Sequence, residues 1–579
     1  MEARKCSFAL TIVLVMAALP LILRVMDSPK GQHVLIWELK SITQTILPTP
    51  WLTGKRQDHK TFGVSPNLTS CHASLGRKDL PVYCCPPRNE LNDTVIVDFR
   101  FPNPSSPSRV RRATHLLDDE YIAKYNKALS IMKSLPYSDP RSYTRQANLH
   151  CLFCTGSYDQ KYSNFQLKIH RSWMFFPWHR MLLHFHERIL GSLIGDDTFA
   201  LPFWAWDIPE GMTIPDMFMN KNSSFFHAER DTSHFPPSVV DLDYTCKESG
   251  LNPEDQVSTN LATMYHQMVS GAKKTELFMG CPYRPGEGGF CNGPGTIELA
   301  PHNTVHKWVG NNLHPVSRED MGVFYSAARD PIFYPHHANI DRLWNIWREL
   351  HGDKIINDPD WLDSYFYFYD EKLQLIRIKV GDVLDSTKLG YVYEEVDISP
   401  WLNARPKPSV PPEVARHILK TRHDENPQKL ARSNHIQSSD FRPGGRILDS
   451  SLTVRVIRPK FHRSKKEREE EEVLVVHGID VKADVFAKFD VYVNVVNETI
   501  ISPRFREFAG TFVHIPPGVR LMREENEKES RKTDLKLGIS EILEDLEAEG
   551  EQHIWITLLP RTQSCMNTTV DGIRIEYMK

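Results

Sequence analysis

The sequence predicts a multidomain protein: a mainly α domain built on a four-helix bundle, then a C-terminal β-sandwich. Three observations carry this. Apolar residues recur at helical spacing between residues 112 and 350. A Pro-rich, basic stretch interrupts the chain at 403–447. Short alternating apolar runs fill the remainder to the C-terminus. The length, 579 residues, also exceeds what one simple core holds. The chain is 40% hydrophobic and 25% charged, as globular proteins are. A formal net charge of −3 gives no basic field, so nucleic acid is not an expected partner.

The N-terminus reads MEARKCSFALTIVLVMAALPLILRVMDSPK. Arg4 and Lys5 precede an apolar run from Phe8 to Leu23, 16 residues long, where a spanning helix needs about 20. Residues 1–26 therefore read as a secretory signal, with an uncleaved signal-anchor as the alternative because no clean A-x-A site follows. No stable membrane association is expected unless that segment is retained. Residues 27–64 lack periodicity and form a lead-in. Sequons at Asn67, Asn92, Asn222, Asn497 and Asn567 agree with passage through the secretory pathway. The expected destination is the vacuole lumen, then the cell exterior, with the plastid thylakoid lumen as the alternative. Cys71, Cys84, Cys85, Cys151 and Cys154 cluster as disulfide-forming cysteines do.

The helical domain is expected over 65–402. In THLLDDEYIAKYNKALSIMKSL, Leu116, Leu117, Tyr121, Ile122, Tyr125, Leu129 and Met132 form one apolar stripe. PWHRMLLHFHERILGSLI starts with Pro177, a first-turn residue. PHNTVHKWV gives a third helix. HANIDRLWNIWREL places Ile340, Leu343, Trp344 and Trp347 on one face of a fourth. After the linker at 403–447, the runs LTVRVIRP, EVLVVHGIDV, KFDVYVNVV, GTFVHIPPG, HIWITLLPR and IRIEYM predict the sandwich over 448–579. The intervening KKEREEEE is a solvated loop.

Two aromatic-rich regions carry histidines. The first holds His150, His170 and His179; the second holds His302 and His306, one helical turn apart, then His336 and His337. Three imidazoles from each region, carried on bundle helices, suffice for two metal ions. No Asp or Glu recurs at ligand spacing beside them, which argues against di-iron and di-manganese carboxylate sites. All-imidazole ligation suits copper or zinc. Neutral ligands leave two copper ions with their full positive charge, which favours a dianion between them of the kind reduced O2 supplies. His337 is the sixth ligand chosen, because it stands four residues after Phe333 and four before Asp341; His336 then faces elsewhere as a supporting hydrogen-bond partner. His184 and His186 read as core residues rather than ligands.

Several segments resemble the type 3 copper family of plant polyphenol oxidases, the tyrosinases and catechol oxidases. They are CHASLGRKDLPVYCCPP, HCLFC, HRSWMFFPWHRMLLHFHERILG, LPFWAWD, PHNTVHKWVG, DPIFYPHHANIDRLW, DPDWLDSYFYFYDE, YVYEEVD and KFDVYVN. The resemblance implies that His150, His170 and His179 bind one copper and His302, His306 and His337 the other. It implies a thioether between Cys154 and His170, and disulfides Cys71–Cys85 and Cys84–Cys151. Phe324 matches a bulky gate over one copper, and Tyr391 and Tyr393 a motif closing the catalytic domain. Glu298 and Asn303 match a pair that holds a water able to take a phenol's proton; the competing reading has Glu298 merely capping the His302 helix. The C-terminal domain matches a cover that inhibits the site until it is cleaved or displaced.

The implied activity is oxidation of o-diphenols to o-quinones with O2, with monophenol hydroxylation beside it, on small phenolic substrates. A narrow biosynthetic phenol oxidase is one rival and a hemocyanin-like O2 binder another. Departures from the family pattern are His184 and His186 in place of aromatics and a loop between His150 and His170 one residue short. Cys281 and Cys291 flank CPYRPGEGGFC as a possible added disulfide, and Cys246 and Cys565 have no assignment.

Overall fold

The structure is a computed structural model. It describes residues 63–579 apart from 76–79, 88–94, 104, 106–107, 288–292, 314–317, 353, 355, 424–434, 442–443, 482–484, 498–501 and 516–531. The signal, nearly all of the lead-in, Asn92 and Cys291 lie outside the described residues. Among the described residues no helix is long and apolar enough to cross a membrane.

The helical domain is assembled from α1 (Asp119–Ser134), α2 (Tyr143–Cys154), α3 (Phe175–Ile194), α4 (Pro253–Tyr265), α5 (Asn303–Val309) and α6 (Phe333–His351). Each begins or ends for a local reason. The Asp118 carboxylate accepts from the Tyr121 N–H at 2.8 Å, capping α1. Asn252 caps α4 in the same way through the Asp255 N–H at 2.9 Å, and Pro253 follows at the first helical position. Gly195 and Gly352 end α3 and α6 in the left-handed conformation, where a side chain would be strained. The stripe expected for α1 is the face it buries, through Tyr125, Ala128, Leu129 and Met132.

A buried charge network locks α3 to α6 behind the histidines. Strands β1 (Ile96–Asp98) and β2 (Arg109–Arg111) precede α1. After α6 come β3 (Tyr365–Tyr369), β4 (Leu375–Lys379) and β5 (Tyr391–Tyr393). Strands β2 and β5 pair in parallel, with Arg111 opposite Tyr393. Arg111 then reaches Glu187 of α3 at 2.8 Å and Asp341 of α6 at 3.2 Å. Asp341 also accepts from Arg180 at 2.5 Å, Tyr391 at 2.7 Å and Tyr393 at 2.6 Å. The motif tyrosines thus hold the carboxylate one turn beyond His337.

The linker expected at 403–447 contains a helix, α7 (Pro412–His423), tied to the C-terminal domain by Arg416 to Glu547 at 3.0 Å. It also contributes β6 (His435–Gln437), which pairs in parallel with β7 (Leu452–Ile457). The longer strands that follow are β8 (Glu471–Ile479), β9 (Ala487–Val493), β10 (Phe508–His514), β11 (Thr533–Gly538), β12 (His553–Pro560) and β13 (Gly572–Met578). They form a five-stranded sheet, β10-β9-β12-β7-β6, and a three-stranded sheet, β11-β8-β13. The sheets meet closely where Gly510 of β10, at φ +152, faces Leu537 of β11: a Cβ there would come within 2.6 Å of a leucine methyl. One apolar core runs through both domains.

Polar contacts fasten the two domains together. Buried Lys488 of β9 lies 2.9 Å from Asp243 of the helical domain and 2.7 Å from Asp490 of its own strand. Tyr265 donates to Glu541 at 2.7 Å, and Lys536 pairs with Glu276 at 2.7 Å.

Candidate metal centre

Two histidine groups face one another in the bundle. His150 comes from α2, His179 from α3, and His170 from the loop between them. His302 ends an irregular turn (Glu298–His302) that leads into α5, which carries His306; His337 sits near the start of α6. All six are at most 7% exposed. Burial pushes every one below the ordinary imidazole range, His150 to about 4 and the others further, helped for most by neighbouring histidines. Neutral rings are the form that binds a metal.

Hydrogen bonds fix which nitrogen is free. The Nδ1–H of His150 donates to the Phe324 carbonyl at 2.8 Å, that of His179 to Phe175 at 2.7 Å and that of His306 to Met321 at 2.8 Å. His302 Nδ1 donates to the Asn303 side-chain oxygen at 3.0 Å. Each therefore keeps its lone pair on Nε2. The Nε2 atoms of His150, His170, His179 and His302 are buried without a hydrogen-bond partner. Nε2 of His306 and Nε2 of His337 lie 3.2 Å apart. Orphaned buried nitrogens converging at this range are the donor set a bound cation satisfies. Ligand atoms of each group lie within 4.8 Å of one another, and neither group contains a carboxylate. The residues fit two copper ions.

His336 belongs to the second group by distance but not by chemistry. Its Nδ1 accepts from the Trp206 indole N–H at 3.1 Å. Indole is only a donor, so the His336 proton sits on Nε2 and blocks ligation there. Trp206 lies in the LPFWAWD segment, where no ligand-type residue signals a part in the metal centre. His184 and His186 stand apart, as expected: His186 stacks on Tyr334 at 3.6 Å.

The other expected site residues gather here. Cys154 is buried, outside any disulfide, and its sulfur lies within the 4.8 Å group of His150, His170 and His179. Disulfides join Cys71 to Cys85 and Cys84 to Cys151. Cys281 is also disulfide-bonded, whereas Cys246 and Cys565 are free thiols. Phe324 stacks on His170 with centroids 4.2 Å apart. Glu298 is 2% exposed, and burial pushes its carboxyl up to about 8, against the Arg171 N–H it accepts at 2.6 Å. The helix-capping reading of Glu298 fails. Ala300, at φ −151 and ψ 135, breaks the helix between Glu298 and His302, and the carboxylate bonds Arg171 instead.

The C-terminal domain lies across this face. Asn303 Nδ2 donates to the Val513 carbonyl of β10 at 3.5 Å, and the Arg171 guanidinium donates to His514, the next residue. Nothing local in the sequence signals either contact, because the partners are hundreds of residues apart.

The family model for the common central domain of tyrosinase matches residues 140–350. The polyphenol oxidase middle domain matches 356–407, and the chloroplastic polyphenol oxidase C-terminal domain matches 445–577. An aureusidin synthase of Antirrhinum majus is 46% identical over 89% of this chain and 88% of its own. A chloroplastic polyphenol oxidase of Vitis vinifera is 44% identical over 89% of this chain and 82% of its own. The solved structure of latent apple tyrosinase superposes with a TM-score of 0.74 at 43% identity, covering 84% of this chain and 100% of that one. The Vitis vinifera, Malus domestica and Prunus armeniaca relatives are named chloroplastic. Those names contradict the vacuolar or extracellular destination and point to the plastid. A basic start followed by a short apolar run marks a segment for translocation without specifying which membrane it crosses. On these matches the chain belongs to the plant polyphenol oxidases of the tyrosinase family.

Proposed function

We propose that the chain oxidises o-diphenols to o-quinones with O2, hydroxylates monophenols as well, and is latent while its C-terminal domain covers the site. The observation that carries this is the set of six buried, neutral imidazoles converging without a carboxylate. Bound by His150, His170 and His179 and by His302, His306 and His337, two copper ions supply the two-electron exchange between O2 and the diphenol. The ligand Nδ1 hydrogen bonds hold the rings in place before metal arrives. A Cys154–His170 thioether would fix the ring that no helix positions.

The rest is done by the pocket. Phe324, stacked on His170, narrows access to a flat ring. A monophenol, with a reference pKa near 10, must lose its proton at a cost of about 4 kcal/mol at pH 7. Glu298 and Asn303 are the groups placed to take it. Under the cover Glu298 keeps its own proton at neutral pH, since burial holds its carboxyl near 8. Exposure to water removes that cause and returns it to a base. Diphenol turnover before and after verified linker cleavage tests latency: equal rates reject it. Absence of monophenol turnover in a cleaved wild type that oxidises diphenols, even with a reductant present, rejects the role of Glu298 and Asn303.

A second reading is favoured by the aureusidin synthase relative: a biosynthetic oxidase for one phenolic precursor. A phenol panel on the cleaved protein separates the two.

A further inference from the structure

We infer that a cavity walled by α3 and by strands β1 and β4 is an accessory site for a neutral phenol, held by the His184 imidazole. The site is distinct from the metal centre. Only the choice of phenols as the ligand class rests on the oxidase reading above.

The cavity holds about 630 Å³, a volume typical of sites for small molecules. Its lining runs from Val97 to Gly390, within the helical domain, and includes none of the six metal-centre histidines. No described residue of the C-terminal domain lines it. Val97 of β1, Ile376 of β4 and Phe185 of α3 give it apolar walls, with Phe99 just beyond β1. His184 stands edge-to-face against both phenyl rings, with centroids 5.8 Å from Phe99 and 5.3 Å from Phe185. Asn103 and Gln374 also line the cavity and are exposed, so solvent reaches it. His184 is 4% exposed, and no described residue hydrogen-bonds either of its ring nitrogens. Nδ1 is sealed from solvent, which leaves Nε2 as the nitrogen a ligand can reach. A buried polar ring without partners costs free energy that a hydrogen-bonding ligand recovers.

The charges close to this wall are already matched. Arg109 pairs with Glu187 at 3.1 Å, Arg188 with Glu371 at 3.1 Å and Arg377 with Asp98 at 2.6 Å. Asp370 accepts the N–H groups of Lys372 and Gln374 at 2.9 and 2.8 Å. The other charged lining residues, Arg100, Lys372 and Asp197, are exposed. An ion entering beside the apolar wall would lose water without meeting an unspent counter-charge there. A neutral ring loses less and gains the aromatic surface. His184 is itself neutral, because burial, reinforced by Arg109, Arg111 and Arg188, pushes it well below the ordinary imidazole range. The Nε2 of a neutral imidazole carries either a proton or a lone pair, and a hydroxyl answers both, since it donates and accepts. A phenol joins that hydroxyl to a flat ring, so it meets the nitrogen and the phenyl wall together.

The test is calorimetric titration of the uncleaved, copper-loaded protein. The probe is resorcinol, whose meta hydroxyls cannot form an o-quinone. It is compared with 1,3-difluorobenzene, which keeps the ring without the hydroxyls, and with benzoate, which adds a charge. Wild type should bind one resorcinol per chain, about tenfold more tightly than either comparison ligand. His184→Phe should bring the resorcinol-to-difluorobenzene ratio near one. His184→Gln, whose amide also donates and accepts, should restore part of it. Gln374→Trp, an exposed substitution at the mouth, should weaken both neutral ligands about tenfold. Denaturation midpoints show which variants are folded; if His184→Phe is not, Gln374→Trp decides alone. Absence of resorcinol binding by wild type overturns the inference, as does binding that survives Gln374→Trp. So does a ratio unchanged in folded His184→Phe, or benzoate binding more tightly than resorcinol. Resorcinol bound as expected by a protein whose cleaved form oxidises no diphenol keeps the site and overturns the oxidase reading.

Discussion

Two buried groups at the domain interface titrate in opposite senses, so replacing either should expose a pH dependence that the wild type largely cancels. Around Lys488, the carboxylates of Asp241, Asp243 and Asp490 face the cations of Lys488 and Arg561. The surplus negative charge is relieved by a proton: burial pushes Asp243 up to about 7, against the pull of Lys488. In the open form Asp243 returns to about 3.9. The closed form then holds one more proton between these values, so acid strengthens closure and rising pH through 7 removes that gain. His266 works the other way. It packs on Phe508, donates to the Pro503 carbonyl at 3.2 Å, and is pushed by burial down to about 3. Exposed, it returns to about 6.5, so between these values the open form holds the extra proton and acid weakens closure.

From pH 8 to pH 5 the Asp243 contribution to closure grows by about 2.7 kcal/mol, while His266 opposes it by about 2.1 kcal/mol. The assay is diphenol turnover of uncleaved protein divided by that of cleaved protein at each pH, so that the pH dependence of the chemistry cancels. This open fraction, taken as Asp243→Asn over wild type, should rise about a hundredfold from pH 8 to pH 5, and His266→Asn over wild type should fall about thirtyfold. Other interface groups cancel in these ratios because they are common to both proteins. An Asp243→Asn ratio that stays constant with pH would refute the assignment of the surplus proton to Asp243.

Other outcomes follow from the same geometry. His337→Ala should retain one copper per chain by metal analysis and His336→Ala two, because of these two neighbours only His337 offers a free lone pair to the second site. Asp341→Asn strips Arg111 and Arg180 of a shared carboxylate and should cost about 3–5 kcal/mol, read as a lowered denaturation midpoint. Cys84–Cys151 spans 67 residues and Cys71–Cys85 spans 14. Loop-closure entropy makes loss of the first cost about 4 kcal/mol and of the second about 3 kcal/mol, so Cys84→Ser should unfold at lower denaturant than Cys71→Ser.

The sequence revealed what is periodic or densely patterned. The stripe from Tyr125 to Met132 announced α1 because a helix buries every third or fourth residue. His302 and His306 announced a shared face for the same reason. Helical spacing does not reach His170, which lies in a loop, so its place in the ligand set rests on the three histidines of its aromatic-rich region, with which the family resemblance agrees. The structure supports that placement through two buried ring nitrogens without partners. The linker was read as irregular because prolines crowd it, yet Pro412 begins α7, where the missing N–H costs nothing. The Glu298 alternative failed on one residue, since a cap needs a continuous turn and Ala300 is extended.

What stayed illegible is the completion of polar valences by distant chain. His337 was chosen over His336 from its spacing to Asp341, which gives the direction of a side chain but not the location of its proton. Only Trp206, 130 residues before His336, decides the tautomer that removes His336 from the ligand set. The same holds for Arg171 and His514, 343 residues apart, and for Asp243 and Lys488. Hydrophobic burial repeats along an element and so leaves a period. A hydrogen bond is satisfied once, by whichever group the fold brings near, and leaves none. The residues that tune this centre and its cover are therefore the ones a linear pattern is least able to show. That is why the ligands could be listed from the chain alone, while the groups governing access to them required the fold.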